Sequence, residues 1–238
     1  MRVLLVGGSG FVGAMSTPYL KQEHALRIFD LAPPRDSTLE YFAGSVADAA
    51  AVRRALEGME GVVYMAMGRS ADGKYDCRDI DVNYDIHVKH LHRVLHAAAE
   101  AGIKRAVYTS SMSVYAHRPN GFAEGDDTPP DAPDVYGFTK RLGEIVCEHF
   151  ARVHGMAIVS LRLNGPMPLE DWLAAARAGH VVTQTAAPDV ARSISLALTA
   201  PVRGAHAVNI AGDYLGKRVR CTRAKELLGW EPLARPPA

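Results

Sequence analysis

Val3-Leu4-Leu5-Val6-Gly7-Gly8-Ser9-Gly10-Phe11-Val12-Gly13 stands almost at the start of the chain and decides its fold. The four apolar residues read as a buried strand, and the glycine run after them opens a segment with helical spacing. Such a turn lets bare backbone approach a pyrophosphate closely, while the helix N-terminus offers free N–H groups and a favourable dipole. Gly8-x-Gly10-x-x-Gly13 fits the dinucleotide pattern, and Gly7-x-x-Gly10-x-x-Gly13 fits its longer variant. A glycine triplet alone is weak evidence; here the preceding strand and the following helix supply the required context. Gly7, Gly10, Phe11, Val12 and Gly13 are therefore assigned to a bound dinucleotide.

Working outward, short apolar runs read as further strands at Leu26–Phe29, Val62–Met67 and Ala106–Thr109, with helical spacing between them at Ala47–Leu56 and Ile80–Ala101. A helix is expected over Val135–His154 and a strand over Ala157–Leu163. Strand and helix in alternation predict a parallel sheet covered by helices on both faces, and the strands lack polar alternation accordingly. Beyond Pro166 the texture changes to an amphipathic stretch at Trp172–Ala178, a helix at Asp189–Leu198, a strand at His206–Ile210 and a short helix at Thr222–Leu228. The expectation is an α/β, doubly wound parallel sheet over residues 1–166, with a small C-terminal substrate lobe over 167–238. The second strand ends at Asp30, 17 residues past Gly13. A carboxylate there accepts both hydrogen bonds of an adenosine ribose diol and repels an added phosphate, so NAD is the expected cofactor. The competing reading is a turn or cap carboxylate, and nearby Arg35 leaves NADP open.

The totals exclude several other classes. With 27 Lys+Arg against 26 Asp+Glu in 238 residues, nothing draws the chain to nucleic acid or to an acidic membrane surface. Glu124, Asp126, Asp127, Asp131 and Asp134 cluster, but among Gly, Pro and Thr they read as a solvated loop. Cys77, Cys147 and Cys221 have neither metal-ligand spacing nor a disulfide framework, so a soluble, cytoplasmic protein is expected. The opening apolar run is too short for a signal core, and no window reaches the roughly 18 apolar residues of a membrane span. His87/His90 and His92/His96 have the spacing of metal ligands on a helix; without a Cys or carboxylate partner they read as a solvated face or subunit interface, and no metal is expected.

Tyr136-Gly137-Phe138-Thr139-Lys140 is the second informative stretch. Four residues apart on one helix face, the Lys140 ammonium can lie beside the Tyr136 phenol and favour its ionised form. Alone the pattern is frequent by chance. It gains force from Val107-Tyr108-Thr109-Ser110-Ser111, a strand ending in hydroxyls where a parallel sheet binds its ligands.

Together with Tyr64–Met67, Asn83, Tyr108–Tyr115, Leu161-Arg162, Gly165-Pro166, Pro188–Ala191, Val208–Ile210 and Leu227–Pro232, these motifs span nearly the whole chain. In that order they make the chain resemble an extended short-chain dehydrogenase/reductase of the NAD-dependent epimerase/dehydratase family, with its Rossmann-type fold. The resemblance implies that Ser111 holds the reacting oxygen, Tyr136 shuttles its proton, and Lys140 lowers the Tyr136 pKa and binds the nicotinamide ribose. It places Leu31, Ser45, Val46, Met65, Ala66, Met67, Asn83 and Leu163 at the cofactor, and Ser111, Met112, Ser113 and Asn164 at the substrate. The chain departs from the family pattern at Ser45, where an Asp often contacts adenine, and at Tyr64, where His is usual.

The family's dehydratases carry an Asp-Glu pair where this chain has Met112 and Ser113, which argues against water elimination. The short C-terminal lobe suggests a small, unactivated substrate. Length and the ending Gly229-Trp230-Glu231-Pro232 are similar to uronate dehydrogenases, although those carry a His at the place of Ser113. Met167, Leu169, Trp172 and His117 are further pocket candidates, with packing of the lobe an equal account of the first three. The expected activity is hydride transfer between NAD and a hydroxyl or carbonyl carbon of a small sugar-like substrate. A nucleotide-sugar epimerase and a non-catalytic NAD-binding sensor are the alternatives. The resemblance also suggests a homodimer packed through the helices of His87–Ala101 and Val135–His154.

Overall fold

The structure is a computed structural model and describes residues 1–68, 76–116, 128–180 and 182–236. His117, Glu124, Asp126 and Asp127 lie outside the described residues.

Val3 to Val6 are fully buried because both faces of β1 (Arg2–Val6) are covered. β1 pairs in parallel with β2 (Ala25–Asp30) on one side and β4 (Gly61–Tyr64) on the other. β3 (Glu40–Ala43) extends the β2 edge, while β5 (Arg105–Ser111), β6 (Ala157–Leu163) and β7 (Ala205–Ile210) extend the β4 edge. The order β3-β2-β1-β4-β5-β6-β7 reverses its winding at β1, and a crevice opens beyond the carboxyl ends of β1 and β4.

Alternate residues of β1 face opposite layers. Leu4 and Val6 join Val52 and Leu56 of α2 (Ala49–Leu56), Leu91 and Leu95 of α4 (Leu91–Glu100), and Cys147 and Phe150 of α5 (Val135–His154). Val3 and Leu5 join Leu20 of α1 (Phe11–Leu20), Val190 and Ile194 of α7 (Ala187–Thr199), and Leu228 of α8 (Thr222–Leu228). Helix starts follow their caps: Asp48 accepts from Ala50 and Ala51 at α2, and Asp134 accepts from Gly137 at α5. The expected helix Ile80–Ala101 is split. α3 (Ile80–Tyr84), capped by Asp79, runs into a π-turn at Asp85–His90 before α4. Such turns insert a residue and re-aim the side chains around them.

The segment after Pro166 divides between two structures. α7 packs on α1 and β7 completes the sheet, so a boundary at Pro166 crosses the sheet. The part that stands off is a small cluster in which α6 (Leu169–Arg177) places Trp172 against Val182, Ala186 and Tyr214. Among the described residues no helix is long and apolar enough to cross a membrane.

Candidate functional site

A cleft of about 1120 Å³ lies over the carboxyl ends of the strands. At the β1–β3 end it is lined by Gly7, Gly10, Phe11, Val12, Asp30, Leu31, Ser45 and Val46, and at the β5–β6 end by Ser111, Ser113, Tyr136, Lys140 and Leu163. Met65, Ala66 and Met67 line it between the two. The sheet thus brings together residues up to 163 − 7 = 156 positions apart, and the volume exceeds that of ordinary small-ligand pockets.

The β1–β3 end is made largely of backbone. A Cβ on Gly13 would stand 2.2 Å from the Gly8 carbonyl oxygen, so only glycine lets α1 start this close to the loop. Asp30 Oδ2 accepts from the Ser9 N–H at 3.0 Å and Oδ1 from the Leu31 N–H at 2.7 Å. These bonds make Asp30 a turn carboxylate as well as part of the cleft wall, and they leave each oxygen a further lone pair for a diol. The residues therefore fit the adenosine and pyrophosphate portions of a dinucleotide.

At the other end, Tyr136 sits in the first turn of α5. A Cβ on Gly137 would come 1.9 Å from the Ser113 carbonyl oxygen, so glycine allows α5 to lie against the turn Met112–Val114. That approach puts Tyr136 within hydrogen-bonding reach of Ser111. The Ser111 hydroxyl also accepts from the Ser113 N–H at 3.1 Å. Lys140 Nζ donates to the Thr109 carbonyl at 2.9 Å and stands 5.7 Å from the centre of the Tyr136 ring.

Burial decides the ionisation here. It raises the Tyr136 pKa above its ordinary value, and the Ser111 hydrogen bond only opposes this. It pulls Lys140 down to about 7, against the attraction of Glu144 one turn further on. The lowering of Tyr136 by Lys140 that the resemblance implies is thus absent from the chain by itself. The cation faces Thr109, and desolvation of the phenolate dominates.

Behind this wall lies a polar network that sequence reasoning assigned no role. Glu144 is almost fully buried and accepts from Arg162 through both oxygens at 2.9 Å, from Ser110 at 2.8 Å and from Arg141 at 3.1 Å. Arg162 also donates to the Tyr115 hydroxyl. Strand end, α5 and β6 are fixed together through one carboxylate. The available signals were a charged Arg162 inside an apolar strand and a Glu one turn after Lys140.

Four assigned residues stand behind the cleft wall rather than on it. Gly13 packs under the loop. Asn83 is fully buried and donates to the Asp79 and Asp76 carbonyls at 2.7 and 3.2 Å, tying down the start of α3. Met112 joins an apolar cluster with Val114, Ala211 and Val219. The Asn164 amide donates to the Thr183 carbonyl at 2.7 Å. Trp172 also faces away, donating to the Gln184 carbonyl at 3.0 Å inside its own cluster with Met167 and Leu169. The histidines divide: His92 and His96 are exposed, whereas His87 and His90 are buried, contrary to a solvated face for all four. His87 Nδ1 lies 3.1 Å from the Thr139 hydroxyl and its ring meets the Tyr136 ring edge-on.

Residues 3–167 match the NAD dependent epimerase/dehydratase family. The chain is 36% identical over 177 residues to a 3 beta-hydroxysteroid dehydrogenase/Delta 5-->4-isomerase of Mycobacterium tuberculosis, covering 69% of this chain and 46% of that protein. It is 26% identical over 175 residues to an L-arabinose 1-dehydrogenase (NAD(P)(+)) of Haloferax volcanii, covering 68% of this chain and 66% of that one. The chain spans about half the length of the steroid dehydrogenase it matches. In fold it is similar to a mutated uronate dehydrogenase, with a TM-score of 0.81 at 21% identity over 98% of this chain and 82% of the other. The matched region holds the glycine loop, Asp30, Ser111, Tyr136 and Lys140, and the chain belongs to the NAD dependent epimerase/dehydratase family.

Proposed function

We propose that the chain is an NAD-dependent oxidoreductase that interconverts a hydroxyl and a carbonyl on a small sugar-like substrate. One observation carries this reading: a single cleft joins the glycine loop and Asp30 to Ser111, Tyr136 and Lys140. Gly7 and Gly10 would hold the pyrophosphate with the start of α1, Asp30 the adenosine diol, and Tyr136 and Lys140 the nicotinamide ribose. When bound, NAD supplies the site that takes or gives a hydride. Ser111 holds the substrate oxygen, which Tyr136 approaches through the hydrogen bond they share. The Tyr136 phenol, kept protonated by burial, gives its proton to a carbonyl oxygen or, in the reverse direction, receives one from a hydroxyl. Lys140, held at about 7, stabilises the phenolate once it turns from Thr109 to the ligand. Burial of both groups keeps water from competing for the proton. Residues 1–166 then serve the cofactor, and the cluster around Trp172 covers the substrate.

The test is NADH absorbance with a panel of uronic acids, aldoses, polyols, hydroxy acids and 3β-hydroxysteroids. Growth with a sugar-like class supports the proposal and names the substrate. Growth with steroids alone corrects the substrate class. Silence across the panel, with isomerisation of a nucleotide sugar, favours an epimerase.

The proposal extends to a cytoplasmic homodimer packed through α4 and α5. Ile145 and Val153 are 45% and 52% exposed on α5, beside exposed His92, His96 and His149. Sedimentation at micromolar concentration tests it: a monomer there counts against this part.

A further inference from the structure

His90 has no role in the mechanism above, yet it is buried and borders the cleft. It ends the π-turn. Its Nδ1 stands 3.1 Å from Arg93 Nη1. A guanidinium has no lone pair with which to accept, so Nδ1 must be the bare acceptor. Burial first, then Arg93, lowers the His90 pKa, with Lys89 assisting and Asp85 opposing, so the ring is neutral near pH ~7. The one ring proton of His90 therefore sits on Nε2.

The same Arg93 Nη1 donates to the carbonyls of Val46 and Ala47 at 3.1 and 2.7 Å. His90 is thereby tied to the backbone that follows β3, at the Asp30 end of the cleft and away from Tyr136. The other polar groups here are committed. Ser45 Oγ accepts from the Ala47 N–H at 3.1 Å, and Asp85 is paired with Lys89 at 3.0 Å. Val46 and Ile86 present apolar surface to the cleft. Among the described residues Nε2 has no partner, so this end offers one oriented donor within an apolar surround.

We propose that His90 is a base-reading residue of the adenosine subsite, its Nε2–H donating to an acceptor nitrogen of the purine. This rests on the cofactor reading above. Arg93 fixes the tautomer, and the π-turn brings the ring to the wall. A straight α-helix would carry His90 at a different angle about the axis.

Calorimetry with ADP-ribose and with nicotinamide mononucleotide tests it, on wild type, His90→Phe and His90→Gln, each checked for an unchanged unfolding temperature. His90→Phe keeps a ring but no donor and is expected to weaken ADP-ribose about tenfold while leaving the mononucleotide unaffected. His90→Gln restores an N–H and is expected to recover part of the loss. Equal ADP-ribose binding by wild type and His90→Phe would overturn the inference and leave the cofactor reading standing. An equal loss for both ligands would overturn it as well. Wild type that binds neither ADP-ribose nor NAD would overturn both readings.

Discussion

The two ends of the cleft are made of different material. At the β1–β3 end the wall is backbone, shaped by glycines whose neighbours lie too close for a side chain, with Asp30 held by three backbone N–H groups. At the β5–α5 end the wall is side chains: Ser111, Tyr136 and Lys140 in front, Glu144 and Arg162 behind. A backbone wall recognises by shape and holds its form whatever the pH. A side-chain wall does chemistry, and its protonation is set by burial and by which charges are paired. The first end should therefore be broken by bulk, the second by charge.

The largest expected effect is at the second end. Tyr136→Phe removes the proton carrier and is expected to lower kcat by about 10³-fold or more, with NAD affinity nearly unchanged. Undiminished turnover would remove the mechanism. Behind it, Glu144→Gln leaves Arg162 buried without its counter-charge and is expected to cost about 3–5 kcal/mol of stability in denaturant unfolding. A loss under ~1 kcal/mol would mean that the network is not what joins β5, β6 and α5. At the backbone end, Gly13→Ala forces a methyl against the Gly8 carbonyl. Overpacking of this kind costs about 1–3 kcal/mol, and the loop must shift, so NAD affinity should fall with little change in the pH profile of kcat.

The smallest effect sharpens the contrast in pH response. Lys140 titrates at about 7 in the folded chain, against 10.5 ordinarily. Between those values the unfolded chain binds the additional proton, so this group raises stability as pH rises from about 7 to 10.5 and contributes no slope below that window. The stability of wild type relative to Lys140→Met should rise there by up to about 1.4 kcal/mol per pH unit. Parallel unfolding curves would show that Lys140 is not desolvated.

The same contrast explains what could be read from residues alone. Elements with a cap or a continuous apolar run were legible: α5, β6 and α8 fall at the expected bounds. The glycine loop and Asp30 were legible because backbone geometry writes itself as glycines at fixed spacing. β3 was absent from the apolar runs since it is a half-exposed edge strand of four residues. The strand expected to reach Met67 ends at Tyr64, where its ladders with β1 and β5 stop. The π-turn has no signature in residue type, so the inward turn of His87 and His90 was hidden. Lys140 was placed correctly on its helix, but its partner in the chain alone, the Thr109 carbonyl, depends on burial that spacing does not reveal.

A crystal structure of the chain with NAD tests the central claim most directly. The account predicts the adenosine diol on Asp30, the pyrophosphate over Gly7 and Gly10, and the nicotinamide ribose on Tyr136 and Lys140, with Lys140 released from Thr109. A cofactor bound elsewhere, or reversed so that the nicotinamide lies by Asp30, would contradict it.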